Sequence, residues 1–180
     1  SNRIEWANRL QLGIGIPYNN SRALPFNKLY TIGGSSSIRG YRARNLGPGT
    51  NKPSAEQQRY FQIIGGDIKL LANTELRIPL TNRIGTALFV DAGNVWTKDS
   101  ILFGPSGKFT SNFYKEIAVA TGIGIRFDLT VLMIRTDLAI PVRKPFNPSG
   151  NRWVFDEINF GNSNWRRENL ILNIAIGYPF

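Results

Sequence analysis

Residues 4 to 16 hold Ile4, Trp6, Leu10, Leu12, Ile14 and Ile16 on one parity, and Glu5, Ala7, Arg9, Gln11, Gly13 and Gly15 on the other. A period of two sends successive side chains to opposite faces of an extended chain, so this segment reads as a strand with one apolar face. The same division recurs along the chain. Ile68, Leu70, Ala72, Leu76, Ile78 and Leu80 oppose Asp67, Lys69, Asn73, Glu75 and Arg77, while Ile84, Leu88, Val90 and Trp96 oppose Arg83, Gly85, Asp91 and Gly93. Ile117, Val119, Ile123, Ile125 and Phe127 oppose Ala118, Gly122, Gly124 and Arg126, and Leu132, Ile134, Leu138 and Ile140 oppose Arg135 and Asp137. In the last segment Leu170, Leu172, Ile174, Ile176, Tyr178 and Phe180 oppose Asn173, Ala175 and Gly177. The pattern predicts six strands and an all-β chain.

The connections alternate as well. Short turns are expected near Thr81 and Asn82 and over 128–130, and long loops at about 17–66, 97–114 and 142–168, beyond the usual length in compact domains. Strands of about 9 to 13 residues, apolar on one face, with short turns at one end and long loops at the other, fit an antiparallel transmembrane β-barrel. The rival is a soluble sandwich or lipocalin-like barrel, whose apolar face turns inward and whose solvent face favours Lys, Glu and Thr. Here that second face mixes glycine with charge, which suits a crowded polar lumen with loops folded into it. Aromatic residues at strand ends, Trp6, Trp96, Phe127, Tyr178 and Phe180, are expected to form interfacial girdles.

Composition narrows the chemistry. The 180 residues include no Cys and no His, which removes thiolate catalysis, thiolate metal sites and the commonest general base and metal ligand. No catalytic residue, metal site or cofactor is expected. A formal charge of +10 makes anionic partners worth weighing: nucleic acid, anionic lipid headgroups or acidic polysaccharide. No apolar run reaches the roughly 18 residues of a membrane helix. The opening SNRIEWANRL is not a secretory signal, so an exported protein is expected here as a mature form or a fragment.

Three motifs add a family resemblance. The loop stretch IGGSSSIRGYRARNLGPG at 32–49 carries Ile38, Arg39, Gly40 and Tyr41; NTELRIPL occupies 73–80 and FVDAGNVW 89–96; and the chain closes on GYPF. It resembles the C-terminal part of the barrel of the BamA/TamA outer-membrane assembly superfamily, the bacterial surface antigen family. That family's most characteristic motif is Val/Ile-Arg-Gly-Phe/Tyr in a long loop folded back into the barrel. The wording IRGYRARNLGPGT is nearer the TamA-like branch, and Pro179 departs from the commonest ending. The resemblance implies that residues 1–180 are the last six strands of a sixteen-strand barrel, with the earlier strands and the POTRA domains lying outside this chain. It also implies that Tyr178 and Phe180 belong to a C-terminal signal, and that Arg39 pairs in the lumen with Glu75 and Asp91.

The residues allow that pairing independently, because Glu75 and Asp91 share the inward parity of adjacent strands and arginine offers five donors in a planar fork. Gly40 is expected to permit positive φ or close approach to the wall, and Tyr41 to bring an aromatic body with a hydroxyl tip. Gly93 either admits the incoming loop or marks a bulge. Arg42 and Arg44 read as solvated or loosely lumen-bound charges, and Arg143, Lys144, Arg152, Arg166 and Arg167 as outer-loop bases facing lipopolysaccharide or solvent.

By resemblance the protein inserts or folds other barrel proteins in the bacterial outer membrane, without covalent chemistry, pairing strands at a seam that includes residues 168–180. The implied partners are outer-membrane lipids, lipopolysaccharide, client β-barrel proteins and periplasmic assembly factors, with no nucleic acid. The alternatives are a passive porin-like barrel or barrel enzyme, the latter disfavoured by the absence of His, and a soluble basic nucleic-acid-binding β module.

Overall fold

The computed structural model describes residues 3–18, 24–52, 65–99, 103–129, 131–177 and 180. Six strands, β1 (Glu5–Ile14), β2 (Ile68–Pro79), β3 (Ile84–Trp96), β4 (Ala118–Asp128), β5 (Met133–Arg143) and β6 (Ile171–Ile176), form one sheet. They pair antiparallel in sequence order, so each strand neighbours the next and the sheet is a meander. Short turns join β2 to β3 and β4 to β5 at one end; the long connections gather at the other.

The faces divide as the alternation requires. On β1 the apolar side chains stand out from the molecule, with Trp6 73% exposed and Leu10, Leu12 and Ile14 close behind. Leu88, Ile123 and Ile125 continue this belt across the middle strands, and Leu172, Ile174 and Ile176 extend it onto β6. A contiguous apolar surface of this kind is a liability in water and the ordinary dress of a strand facing lipid. Among the described residues no helix is long and apolar enough to cross a membrane; here the long, one-faced elements are strands.

On β2 to β5 the opposite parity is largely buried, and what buries it is the chain's own long loop. Ile32, Ile38, Tyr41 and Leu46 pack against Leu71, Val95, Ala118 and Ala120 of the sheet. The core therefore lies between the concave face of the sheet and the inward-folded segment 30–50.

Three expectations need correction. Trp96 lies on the outward parity yet is fully buried, because the β3–β4 loop folds back over it: Phe109 and Phe113 meet its ring edge-on and its Nε1 donates to Glu116 Oε2 at 2.6 Å. It is no girdle residue, whereas Trp6 and Phe127 do stand outward. The last strand starts at Ile171 and not 168, since a short helix, α1 (Ser163–Asn169), occupies the end of the preceding loop. Asn162 caps α1 by accepting from the Asn164 and Trp165 amides. Finally, Arg143 closes β5 and is not a loop residue.

Candidate functional site: the inward loop and its charge cluster

Residues 33–42 form a tight knot whose geometry rests on glycine. Gly33 and Gly34 take φ of 97° and 92°, a region that side chains rarely enter, and a Cβ on Gly33 would sit 2.4 Å from the Arg42 carbonyl. Gly34 N donates to the Tyr41 carbonyl at 2.8 Å, and Tyr41 N to the Ile38 carbonyl at 3.1 Å. The knot presents Arg39 at its tip.

Arg39 is 1% exposed and its partners Glu75 and Asp91 are fully buried. Its Nε and Nη2 donate to Asp91 Oδ2 and Oδ1 at 2.8 and 2.9 Å, a two-pronged grip, and its backbone amide donates to the same carboxylate at 3.0 Å. Nη1 donates to Glu75 Oε2 at 2.6 Å. The guanidinium carbon lies 3.4 Å from the centroid of the Phe89 ring, which closes the other side of the fork. Burial alone would lower the pKa of Arg39, but Asp91 and Glu75 outweigh it and raise it above the ordinary arginine value.

The cluster extends further than two carboxylates. Arg126 bridges Glu75 Oε1 at 3.1 Å and Asp137 Oδ1 at 2.6 Å, while Arg135 donates to Asp137 Oδ2 at 2.6 Å. Arg77 adds a contact to Glu75 Oε1 at 3.1 Å. Three carboxylates thus face three buried arginines, which leaves the interior close to neutral. Gly124 makes room for this, since a Cβ there would lie 2.2 Å from Asp137 Oδ1 and 2.3 Å from Arg126 Nη1.

The wall also grips the loop through its backbone, independent of loop side chains. Arg135 Nη2 donates to the Ser35 carbonyl at 2.8 Å, Arg9 Nη2 to Ser36 at 2.6 Å and Asn73 Nδ2 to Ser37 at 2.7 Å. Asn173 Nδ2 donates to the Arg39 carbonyl at 3.0 Å. A buried charge cluster joined to captured backbone anchors a loop inside a sheet.

An Omp85 superfamily domain model matches residues 1–163. The chain belongs to the Omp85 superfamily. Its sequence is 24% identical over 164 residues to the outer membrane protein assembly factor BamA of Neisseria meningitidis serogroup B (strain ATCC BAA-335 / MC58), an alignment covering 81% of this chain and 20% of that protein. Its fold is similar to the crystal structure of BamA from Haemophilus ducreyi lacking POTRA domains 1-3, with a TM-score of 0.54 and 19% identity, covering 97% of this chain and 34% of that one. The chain therefore spans about a fifth to a third of these relatives. As an Omp85 domain with a lipid-facing belt, it is a protein of the bacterial outer membrane.

The remaining singled-out residues sit around the Omp85 loop. Gly40 presses on the wall: a Cβ there would lie 2.5 Å from Ala120 Cβ and 2.8 Å from the Ile140 carbonyl group, so its role is close approach and not positive φ. Tyr41 is buried and donates its hydroxyl to the Arg143 carbonyl at 2.6 Å; burial pushes the phenol well above its ordinary pKa, so it stays a donor. A Cβ on Gly93 would meet the Leu70 carbonyl of the neighbouring strand at 2.3 Å, closer than Ile32 Cδ1 of the loop at 3.1 Å, and the β2–β3 register runs unbroken through it. The register shift lies instead between Val119 and Ala120.

Phe180 turns into the lumen in place of the girdle expected of it, with Arg9 4.9 Å from its ring centroid and Arg77 Nη2 donating to its carbonyl at 3.2 Å. Tyr178 lies outside the described residues. The outer bases mostly tie loops together: Arg143 donates to the Ile117 and Lys115 carbonyls, Arg152 to Lys115, and Lys144 pairs with Glu157. Arg42 reaches the Arg167 carbonyl, while Arg44 is exposed at a φ of 60°. Sequence reasoning placed Asn73, Arg77, Arg126, Arg135 and Asp137 on the inward parity without joining them to Arg39. Phe89 enters the sequence reading only as the first residue of FVDAGNVW; the inward parity it shares with Asp91 is the signal that points it toward Arg39.

Proposed function

We propose that residues 1–180 are the C-terminal barrel portion of an outer-membrane protein assembly or translocation factor that works by strand pairing and without covalent chemistry. In this reading 17–66 is the inward loop, and 97–114 and 142–168 face the cell surface. Membership of the Omp85 superfamily supports it, as does the likeness to a named assembly factor. The observation that carries it is the fully buried Arg39–Glu75–Asp91 contact: a pore needs an open lumen, whereas here the lumen side is filled by a clamped loop. The β6 strand pairs on one side with β5, and among the described residues nothing pairs with its other edge. In this reading that edge forms one side of the barrel seam, where its amides and carbonyls pair with a strand of a client barrel protein. Outer-membrane lipids surround the belt, and periplasmic assembly partners act from the short-turn side.

The test is charge reversal in the full-length protein. Arg39→Glu places a third carboxylate beside Glu75 and Asp91 and is expected to abolish assembly of client barrels. Adding Asp91→Arg restores an ion pair and is expected to recover part of it. Full client assembly by the single variant would overturn the proposal, and ion conductance unchanged by either variant would favour a passive pore.

A further inference from the structure

Residues 39–42 of the inward loop cross the lumen side of the sheet, and their polar groups divide between its two halves. The Arg39 amide and guanidinium are spent on β2 and β3, through Glu75 and Asp91. Its carbonyl accepts instead from Asn173 Nδ2 of β6, at 3.0 Å. Gly40 passes over β4 and β5 between these anchors, so close to Ala120 and Ile140 that a Cβ has no room. Tyr41 then donates to the Arg143 carbonyl at the end of β5, and Arg42 Nη2 to the Arg167 carbonyl of α1 at 3.1 Å.

Two of these contacts fall on the terminal strand and on the helix that leads into it, and neither belongs to the charge cluster. β6 has six residues, and among the described residues it pairs only with β5. Of its inward side chains Ile171, Asn173 and Ala175, only Asn173 carries a donor. It stands in register with Asp137, whose carboxylate is taken by Arg126 and Arg135, which leaves the Asn173 amide to the loop. The Arg167 carbonyl lies in the last turn of α1, where carbonyls look outside the helix for donors and where a cation suits the helix dipole. Only Leu170 separates α1 from β6, so holding α1 fixes where the strand starts.

A short strand at the edge of a sheet is the part that frays and slips most readily. We infer that residues 39–42 are a strap that holds β6 in place, with Asn173 and Arg42 as positioning residues. Asn173 fixes the middle of the strand and Arg42 its start, both against the Arg39 anchor on the opposite wall. The strap bonds the inward face and the leading end of β6 and leaves its outer edge to pairing. This assignment rests on the reading that β6 forms one side of the seam. It separates two tasks: Arg39 fastens the loop, while Arg42 and Asn173 pass that fastening to the strand that meets a client.

The experiment is hydrogen exchange on the full-length protein in detergent, without a client, comparing the unaltered protein with Arg42→Ala, Asn173→Ala and the double variant. Arg42 is exposed and Asn173 half-buried, and both changes leave the buried ion pairs of Arg39 intact. The double variant is expected to exchange about tenfold faster or more over residues 171–176, the loss of two hydrogen bonds, while 68–79 and 84–96 keep their protection. Asn173→Gln keeps an amide donor and is expected to restore part of the protection that Asn173→Ala loses. Unchanged exchange over 171–176 in the double variant, or equal acceleration across β2 and β3, overturns the inference. Client assembly is then measured on the same variants. Assembly that falls in step with β6 protection supports the strap as part of strand pairing. Faster β6 exchange with undiminished assembly leaves the strap standing and overturns the seam reading instead.

Discussion

Removing Arg39 strands two buried carboxylates at once. Glu75 and Asp91 would remain buried without their shared partner, and breaking a buried ion pair from one side costs about 3–5 kcal/mol. Arg39→Ala is thus expected to lower stability by that order, measured as a shift of the denaturant midpoint of the heat-modifiable folded band. The two carboxylates are not equivalent. Glu75 is also held by Arg77 and Arg126, whereas Asp91 has Arg39 and the Asn73 amide. Asp91→Asn is therefore expected to loosen the loop more than Glu75→Gln does, read as faster amide exchange over residues 33–42. Equal exchange in the two variants would contradict this division. At Gly40 the obstacles are the Ala120 Cβ and the Ile140 backbone, neither of them a movable side-chain tip, so Gly40→Val is expected to cost about 1–3 kcal/mol through overpacking. Parity alone placed Glu75 and Asp91 on one wall. It did not show that Phe89 stacks on the same guanidinium, because stacking depends on the angle at which the loop arrives.

At the scale of the strand, parity makes a sharp contrast. Leu10 stands outward on β1 and Gln11, its neighbour, has the opposite parity. Leu10→Arg is expected to reduce the folded, membrane-integrated fraction, with a cost of about 2–4 kcal/mol if Leu10 lies near the bilayer midplane. Gln11→Arg is expected to leave it nearly unchanged, and equal loss in both would contradict a lipid-facing belt. The strands were legible because a period of two persists for 10 to 13 residues on β1 to β5. Helix α1 was not, since seven residues hold barely two turns and their stability comes from the Asn162 cap and tertiary contacts, not from periodicity. Trp96 failed for a related reason. Its parity is outward, but the loop beyond it carries Phe109 and Phe113, and no local pattern announces that a loop will fold back over its own strand.

Across the whole molecule, all six strands meet on one ten-residue knot. Arg9 of β1, Asn73 and Glu75 of β2, Asp91 of β3 and Arg135 of β5 bond to it, Ala120 of β4 packs under it, and Asn173 of β6 takes the Arg39 carbonyl. Arg9 reaches the loop through the Ser36 carbonyl and lies outside the trio of buried arginines, so Arg9→Ala is expected to raise amide exchange at residues 35–37 while the strands stay protected. Protection unchanged at those three amides would show the side-chain cluster alone suffices. Alternation and the turn asymmetry were enough to specify six antiparallel strands and the outward face, because strand periodicity is a local property of the chain; parity put Glu75 and Asp91 on one wall, and only the family resemblance of the IRGY stretch pointed Arg39 at them. Tertiary structure alone decided that Asp137, Arg126 and Arg135 complete the charge balance, that Phe180 turns inward beneath Arg9 and Arg77, and that Arg42 reaches α1 while the Arg39 carbonyl meets β6. Each of these needs residues from distant elements at bonding distance, and that is set by sheet curvature and loop entry, which no single segment encodes.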